Sequence, residues 1–357
     1  SWYLEAFKAG PELEHLRAAC ERLAGVVENG WAKLVAAYES ACESVQDASV
    51  QLALLPVIAS AWENSLKDPD RALATSLKIL EIDETNEVAL DALERIYQQK
   101  QEWQKLLDVY QKKIDLAADD LTRRDLYWKL ADIYDSLMEK PEKAVEACRE
   151  ALELIPDDVA TMQRLDQLYL RLERWEDLSG ILERQLEFVE EESARVDLKF
   201  RWADVQESRL GHVDEAVEGY RQVLEWQPGH DGAREKLEKH LDSENAEIRR
   251  KTADILEPVY KTTLEFEKIV KVHEIQAATD DDPVFVLDML ITIGNLWAEN
   301  LGDNAKALDA YARAVRHSPD SDDARRALER IAEIEDRWAV VLQVYEEILG
   351  REELGDI

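Results

Sequence analysis

Residues 125–156 read DLYWKLADIYDSLMEKPEKAVEACREALELIP. Asp125–Met138 and Glu142–Leu154 each carry apolar residues at the three-and-four spacing of one helix face. Pro141 stands where the second helix starts, and Pro156 where it has just ended. The stretch is therefore two helices joined by a short polar turn. One such hairpin cannot bury its apolar face alone, so it needs neighbours of the same kind.

Those neighbours are visible as self-similarity. Trp31, Trp103 and Trp175 are 72 residues apart, and Trp338 follows 163 later, which is twice 72 plus 19. Phe266 fills the missing place. Three residues on come Leu34, Leu106, Leu178, Ile269 and Val341; seven on come Tyr38, Tyr110, Leu182, His273 and Tyr345. A second set repeats independently. Ala72, Ala144, Ala216 and Ala307 are spaced 72, 72 and 91, with Leu80, Leu152, Leu224 and Val315 eight further on. Trp62, Tyr134, Gln206 and Trp297 each precede those alanines by ten residues. Seventy-two residues is the length of two helical hairpins.

The 19 extra residues lie between Trp226 and Phe266. Both His230–Asp242 and Ala246–Thr262 have helical patterns there, where sister units have one helix. Leu256, Val259 and Tyr260 in the second match Leu93, Ile96 and Tyr97, so the excess reads as an added helix near 230–242. The expected organisation is partial leading repeats over 1–48, double repeats over 49–120, 121–192, 193–283 (with the added helix) and 284–357, in one continuous solenoid. About twenty helices and no strand are expected.

Composition agrees with an all-α chain. Twelve Gly and nine Pro make about 6% of 357 residues, too few for collagen or a turn-rich all-β fold. Lys and Arg number 44 against 78 Asp and Glu, a net charge of −34. A charge of that sign opposes nucleic-acid phosphates and anionic membranes and attracts basic partners. Cys20, Cys42 and Cys148 form neither a disulfide framework nor a metal spacing. They fit a reducing compartment, with the cytoplasm as the expected location. No stretch of 18 apolar residues suggests a membrane span. The chain begins with Ser1, so a targeting segment removed earlier would leave no trace. Residues 1–10 and 338–350 read as closing helices of hairpins, as in an excerpt of a longer array.

The pattern resembles the tetratricopeptide repeat. Leu130-Ala131-Asp132-Ile133-Tyr134, Ala144, Ala151 and Pro156 stand at the family's preferred positions, with one extra residue in the internal turn. Gly219-Tyr220, Val223 and Pro228 match the second half of the next copy, and Ala307, Tyr311, Ala314 and Pro319 that of the last. Half-a-TPR and Sel1-like repeats share the architecture. The resemblance implies a right-handed superhelical solenoid of stacked hairpins. Small residues would let helices approach closely, and Trp and Tyr would fill the gaps, with Trp103 and Trp175 in the core.

The sequence holds no Gly-rich phosphate loop, no nucleophile elbow, no His-Glu-x-x-His and no Cys-x-x-Cys. His273 takes a place held elsewhere by Tyr, so packing accounts for it. The acid runs at 190–192 and 280–282 read as solvated turns or helix N-terminal acids. No catalytic, cofactor or metal site is expected. The family resemblance implies that the first helix of each hairpin faces a groove, and there the sequence places an acidic stripe. Its members are Asp125, Asp132 and Asp135, then Asp197, Asp204 and Glu207 72 residues later, then Asp288 and Asn295. Acid in that position suits a basic peptide or protein surface and disfavours a clamp for terminal carboxylates. The expected role is a non-catalytic protein–protein scaffold. Its rivals are a structural subunit that self-associates through open solenoid ends and a regulatory module of a larger enzyme.

Overall fold

Asp119 and Asp47 have extended backbones and side chains that accept a helical N–H, from Thr122 and Ser49, each at 2.8 Å. Such caps start the long helices of the array. The computed structural model describes residues 14–44 and 47–355. The expectation for residues 1–10 lies outside them. All 19 α-helices of the described residues belong to two compact units, residues 1–174 and 175–357.

The first unit holds α1 (Glu14–Ala24), α2 (Gly30–Ser44), α3 (Ala48–Ser60), α4 (Pro69–Ile82), α5 (Glu87–Lys100), α6 (Trp103–Leu116), α7 (Asp120–Asp132), α8 (Pro141–Leu154) and α9 (Val159–Arg171). The second holds α10 (Trp175–Phe188), α11 (Glu192–Val205), α12 (Val213–Trp226), α13 (Asp231–His240), α14 (Ala246–Thr263) and α15 (Phe266–Thr279). It continues with α16 (Pro283–Asn295), α17 (Asn304–His317), α18 (Asp322–Ile334) and α19 (Trp338–Gly355). Within each unit successive helices pack against each other as hairpins, and the described residues contain no strand. This is the all-α solenoid architecture.

The 72-residue period is written into the backbone as well as the side chains. Helices α3, α7, α11 and α16 each widen into a π-turn, at 61–65, 133–137, 206–210 and 296–300. A left-handed residue follows each: Lys67, Glu139, Gly211 and Gly302, spaced 72, 72 and 91. The chain then closes back six residues, Asp68 N–H to Trp62 C=O at 2.8 Å, Lys140 to Tyr134 at 2.7 Å, His212 to Gln206 at 2.9 Å and Asp303 to Trp297 at 2.8 Å. Gln101, Glu173, Leu264 and Asp336 are also left-handed and end α5, α9, α14 and α18. The N–H one residue beyond each reaches a carbonyl five back, as at Glu102 to Tyr97 (3.0 Å), which satisfies carbonyls the helix end leaves free. Helix starts repeat too: Asn86, His230 and Ser321 cap α5, α13 and α18 at equivalent places.

Ala72, Ala144, Ala216 and Ala307 are at most 1% exposed. The large rings at the centre are tyrosines, with Tyr38, Tyr220, Tyr260 and Tyr311 fully buried. The tryptophans expected there are displaced outward. Trp103 and Trp175 are half-buried at the first turns of α6 and α10, and Trp338 is 45% exposed. The physical reason is their position: each opens a helix just after a turn, where one ring face meets solvent or a cation. Arg209 stacks on Trp175 at 4.6 Å.

The 19-residue excess is spent on a handover between two helices. In α13, Ala233 and Leu237 hold the register of Ala89 and Leu93 from two units earlier. In α14, Leu256 and Tyr260 resume the register of Leu93 and Tyr97 with the 19 residues added. Where α5 is one helix, this unit uses two in succession.

Candidate functional site

Helix α7 and its π-turn carry Asp125, Asp132 and Asp135, and α9 presents Arg164 and Arg171 two turns apart beside them. Arg164 lies 2.7 Å from Asp132, and Arg171 contacts Asp135. Asp125 pairs with Arg124 at 2.7 Å. Trp128 fixes this seam: its Nε1 donates to Thr161 Oγ1 at 2.8 Å, and Arg124 and Arg164 flank its ring at 4.3 and 4.6 Å. The α7, α8 and α9 side chains enclose an open cleft of about 490 Å³, with Asp132, Asp135, Arg164 and Arg171 on its rim and Ala131, Ala144, Cys148 and Leu168 beneath. Burial pushes the Cys148 thiol up to about 12, so it is a neutral part of that floor.

The same construction recurs one period on. Lys236 of α13 contacts Asp204 and lies 2.9 Å from Glu207, and His240 Nε2 is 2.9 Å from the same Glu207. Tyr220 also donates to Glu207, at 2.8 Å. Burial raises the Glu207 pKa, but the Lys236 and Tyr220 hydrogen bonds outweigh it and hold the carboxyl below its usual range. Asn295 accepts from Tyr311 at 2.7 Å. Asp197 and Asp288 are exposed and have no ion pair or hydrogen bond.

The structure thus divides the eight stripe residues. Asp132, Asp135, Asp204 and Glu207 are tied to cations two helices further on, Asp125 is paired with its neighbour Arg124, Asn295 is tied to a buried tyrosine, and Asp197 and Asp288 stay free. Reading one helix at a time could not show this, because each cation lies about 30 residues further along. A further member also emerges. Glu63, 72 residues before Asp135, is gripped by Arg95 of α5 at 2.9 and 3.0 Å with only 8% of its side chain exposed. Its spacing was visible in the sequence; its partner was not.

A second cleft, of about 610 Å³, lies between α12 and α14. Leu224, Pro228, Ile255, Pro258 and Val259 give it mostly apolar walls, with Arg221, Glu225, Lys251 and Asp254 around them. It adjoins the 19-residue insertion, which is the sequence signal that could have located it. Elsewhere cations are again drawn to rings and seams: Arg71 stacks on Trp62 at 4.5 Å, Lys306 on Trp297 at 4.0 Å, and Lys113 bridges Asp91 and Glu94. Asp282 caps α16, as expected of an N-terminal acid. Among the described residues, no group of three or more His, Cys, Asp or Glu side chains is placed to hold a metal ion, and no helix is long and apolar enough to cross a membrane.

The tetratricopeptide repeat family matches residues 89–124 and 125–158, that is α5–α6 and α7–α8. Among solved structures, YrrB, described as a TPR protein with an unusual peptide-binding site, is 18% identical over 56% of this chain and 96% of its own, with a TM-score of 0.31. MamA is 21% identical over 45% of this chain and 89% of its own, with a TM-score of 0.30. A tetratricopeptide repeat protein from Parabacteroides merdae is 14% identical over 79% and 98%, with a TM-score of 0.31. No curated protein matches the sequence.

Proposed function

From a chain that is a tetratricopeptide-like repeat protein, a class of protein–protein interaction module, we propose a non-catalytic scaffold that receives a basic peptide or protein surface on the first-helix faces of its hairpins. One observation supports this reading: the cations nearest the stripe, Arg164, Arg171 and Lys236, are held by its acids, while acids at repeating positions stay free. Asp197 and Asp288 are the free pair, 91 residues apart at the same register of α11 and α16. A partner's Lys and Arg would meet them without displacing an internal cation. Acid of this kind steers approach and sets salt dependence more than it supplies affinity. The clefts offer room for anchoring side chains.

Reversing free acids is the cleanest test, because Asp132 and Asp204 also hold seams together. Asp197→Lys with Asp288→Lys should weaken binding of a fluorescent Lys/Arg-rich peptide by about three- to tenfold at low salt. The difference should vanish at high salt, where such charges are screened. Anisotropy titrations that match wild type at low salt would remove the acidic faces from the binding surface.

A structural role through self-association is favoured by a different feature. Leu342 and Leu349 of α19 are 62% and 61% exposed, whereas Leu107 and Ile114, their equivalents in α6, are 4% and 5% exposed beneath the next hairpin. A bare apolar helix face of this kind is a contact surface, for further repeats of a longer chain or for a second copy. Mass from light scattering that rises with concentration, and no longer does so in Leu342→Asp, is the expected result; a constant monomer mass would rule the role out.

A further inference from the structure

We propose that the α14–α15 hairpin opens more readily than its counterpart α5–α6, because it keeps the same acids but has exchanged the donors that satisfy them. That counterpart, 163 residues earlier, is bonded in full. There Tyr110 Oη donates to Glu94 at 3.0 Å, and Lys113 Nζ reaches Asp91 at 2.6 Å and also contacts Glu94. Lys129 of α7 also reaches Glu94, at 2.9 Å, and Ala89 is buried at the edge of the contact. Every one of these places has an equivalent 163 residues later. Asp254 and Glu257 keep the acids, but His273 replaces the tyrosine, Gln276 the lysine and Thr252 the alanine.

The exchanged set bonds incompletely. His273 Nε2 lies 3.1 Å from Glu257 Oε1, and Gln276 Nε2 reaches Asp254 at 2.8 Å and Glu257 at 3.0 Å. Lys261 supplies the remaining donor to Glu257, at 2.6 Å. The other polar atoms of the three side chains find nothing. His273 Nδ1, Gln276 Oε1 and Thr252 Oγ1 are buried without a hydrogen-bond partner, and they are half of the six such atoms among the described residues. The three residues are 2%, 3% and 0% exposed. A buried polar atom left unmade costs more than a neutral bond returns, so a half-satisfied network is weaker than an apolar seam.

The backbone points the same way. Pro258 stands inside α14, four residues after Asp254, and removes one rung of its ladder where α5 has Arg95. The hairpin also follows directly on the handover from α13 to α14, where the stacking register changes. The exchanged donors, Pro258 and the handover therefore meet in one hairpin. Local opening of repeat arrays begins where nearest-neighbour terms are weakest.

Hydrogen exchange on the whole chain, read by mass spectrometry, tests the assignment. Peptides from α14–α15 should exchange about tenfold faster than those from α5–α6, the matched internal hairpin. Equal or slower exchange overturns the proposal. The variant His273→Tyr with Gln276→Lys and Thr252→Ala copies the α5–α6 seam onto acids already in place. It should bring exchange in α14–α15 down to the α5–α6 level. Exchange that stays as fast as in wild type would also overturn it, since the donors would then not be the cause.

Discussion

Tyr220→Ala should lower the unfolding free energy by about 3–5 kcal/mol, the range for deleting a large buried aromatic. The ring is completely buried in α12, in a cluster with Val196, Ala203, Ala216 and Leu237. Phe200 packs on it with ring centroids 5.7 Å apart. Its neighbours are held in place on several packed helices, so they can collapse only partly into the space it leaves. Its hydroxyl also holds Glu207, the carboxylate that receives Lys236 and His240 from the next helix. Burial, and then the Glu207 bond, push that hydroxyl well above its usual range, so it stays a donor at every working pH. Tyr220→Phe separates the two roles and should cost about 1–2 kcal/mol, because Glu207 keeps its other donors. Denaturant titrations in which the alanine variant melts with wild type would show that this ring does not hold the joint.

Gly294→Ala comes next, at about 1–3 kcal/mol or more, although Ala is normally the better helix former. A methyl group at Gly294 would lie 2.3, 2.6 and 2.7 Å from Cε1, Cδ1 and Cζ of Tyr311. That ring is fully buried and pinned by its bond to Asn295, so it cannot step aside. The sister positions show the rule. Ala131 faces a unit with Cys148 where Tyr311 stands, and Ala59 one with Ser76. In the unit of Tyr220 the space comes from the other helix, at Gly219, where a methyl would meet Ala203 Cβ at 2.8 Å. A tyrosine in the second helix thus requires a glycine at one side of the seam. In a Tyr311→Cys background, Gly294→Ala should be neutral or slightly stabilising. Additive losses in that double-mutant cycle would refute the steric account.

Much of this architecture was legible because repetition multiplies weak signals. One Ala among apolar residues says little, but Ala72, Ala144, Ala216 and Ala307 on one ruler mark a seam. The ruler could not say what fills the seam. Tryptophan is the larger residue and the more regular marker, yet Tyr38, Tyr220, Tyr260 and Tyr311 occupy the centre. Their hydroxyls can reach an acid or amide across the seam, whereas Trp103 and Trp175 sit at helix starts beside solvent. Left-handed helix ends were hidden for a related reason. Gln101, Glu173 and Leu264 adopt a conformation that favours Gly, and only the surrounding hydrogen bonds hold them there. The stripe was legible as a row of acids, but its division into bonded and free members was not. Arg164, Arg171 and Lys236 approach from the next helix but one, and single-helix periodicity carries no information about what arrives from outside.

The π-turns after α3, α7, α11 and α16 give the chain slack at one corner of every unit. A residue gained or lost there alters the width of a turn that a left-handed residue resets before the next helix begins. The same change inside α8, between Ala144 and Ala151, would swing everything after it by about 100° and lift one alanine off its seam. Length variation between copies of this repeat is therefore expected to collect at those four corners, and insertions for tagging or fusion should be tolerated there first.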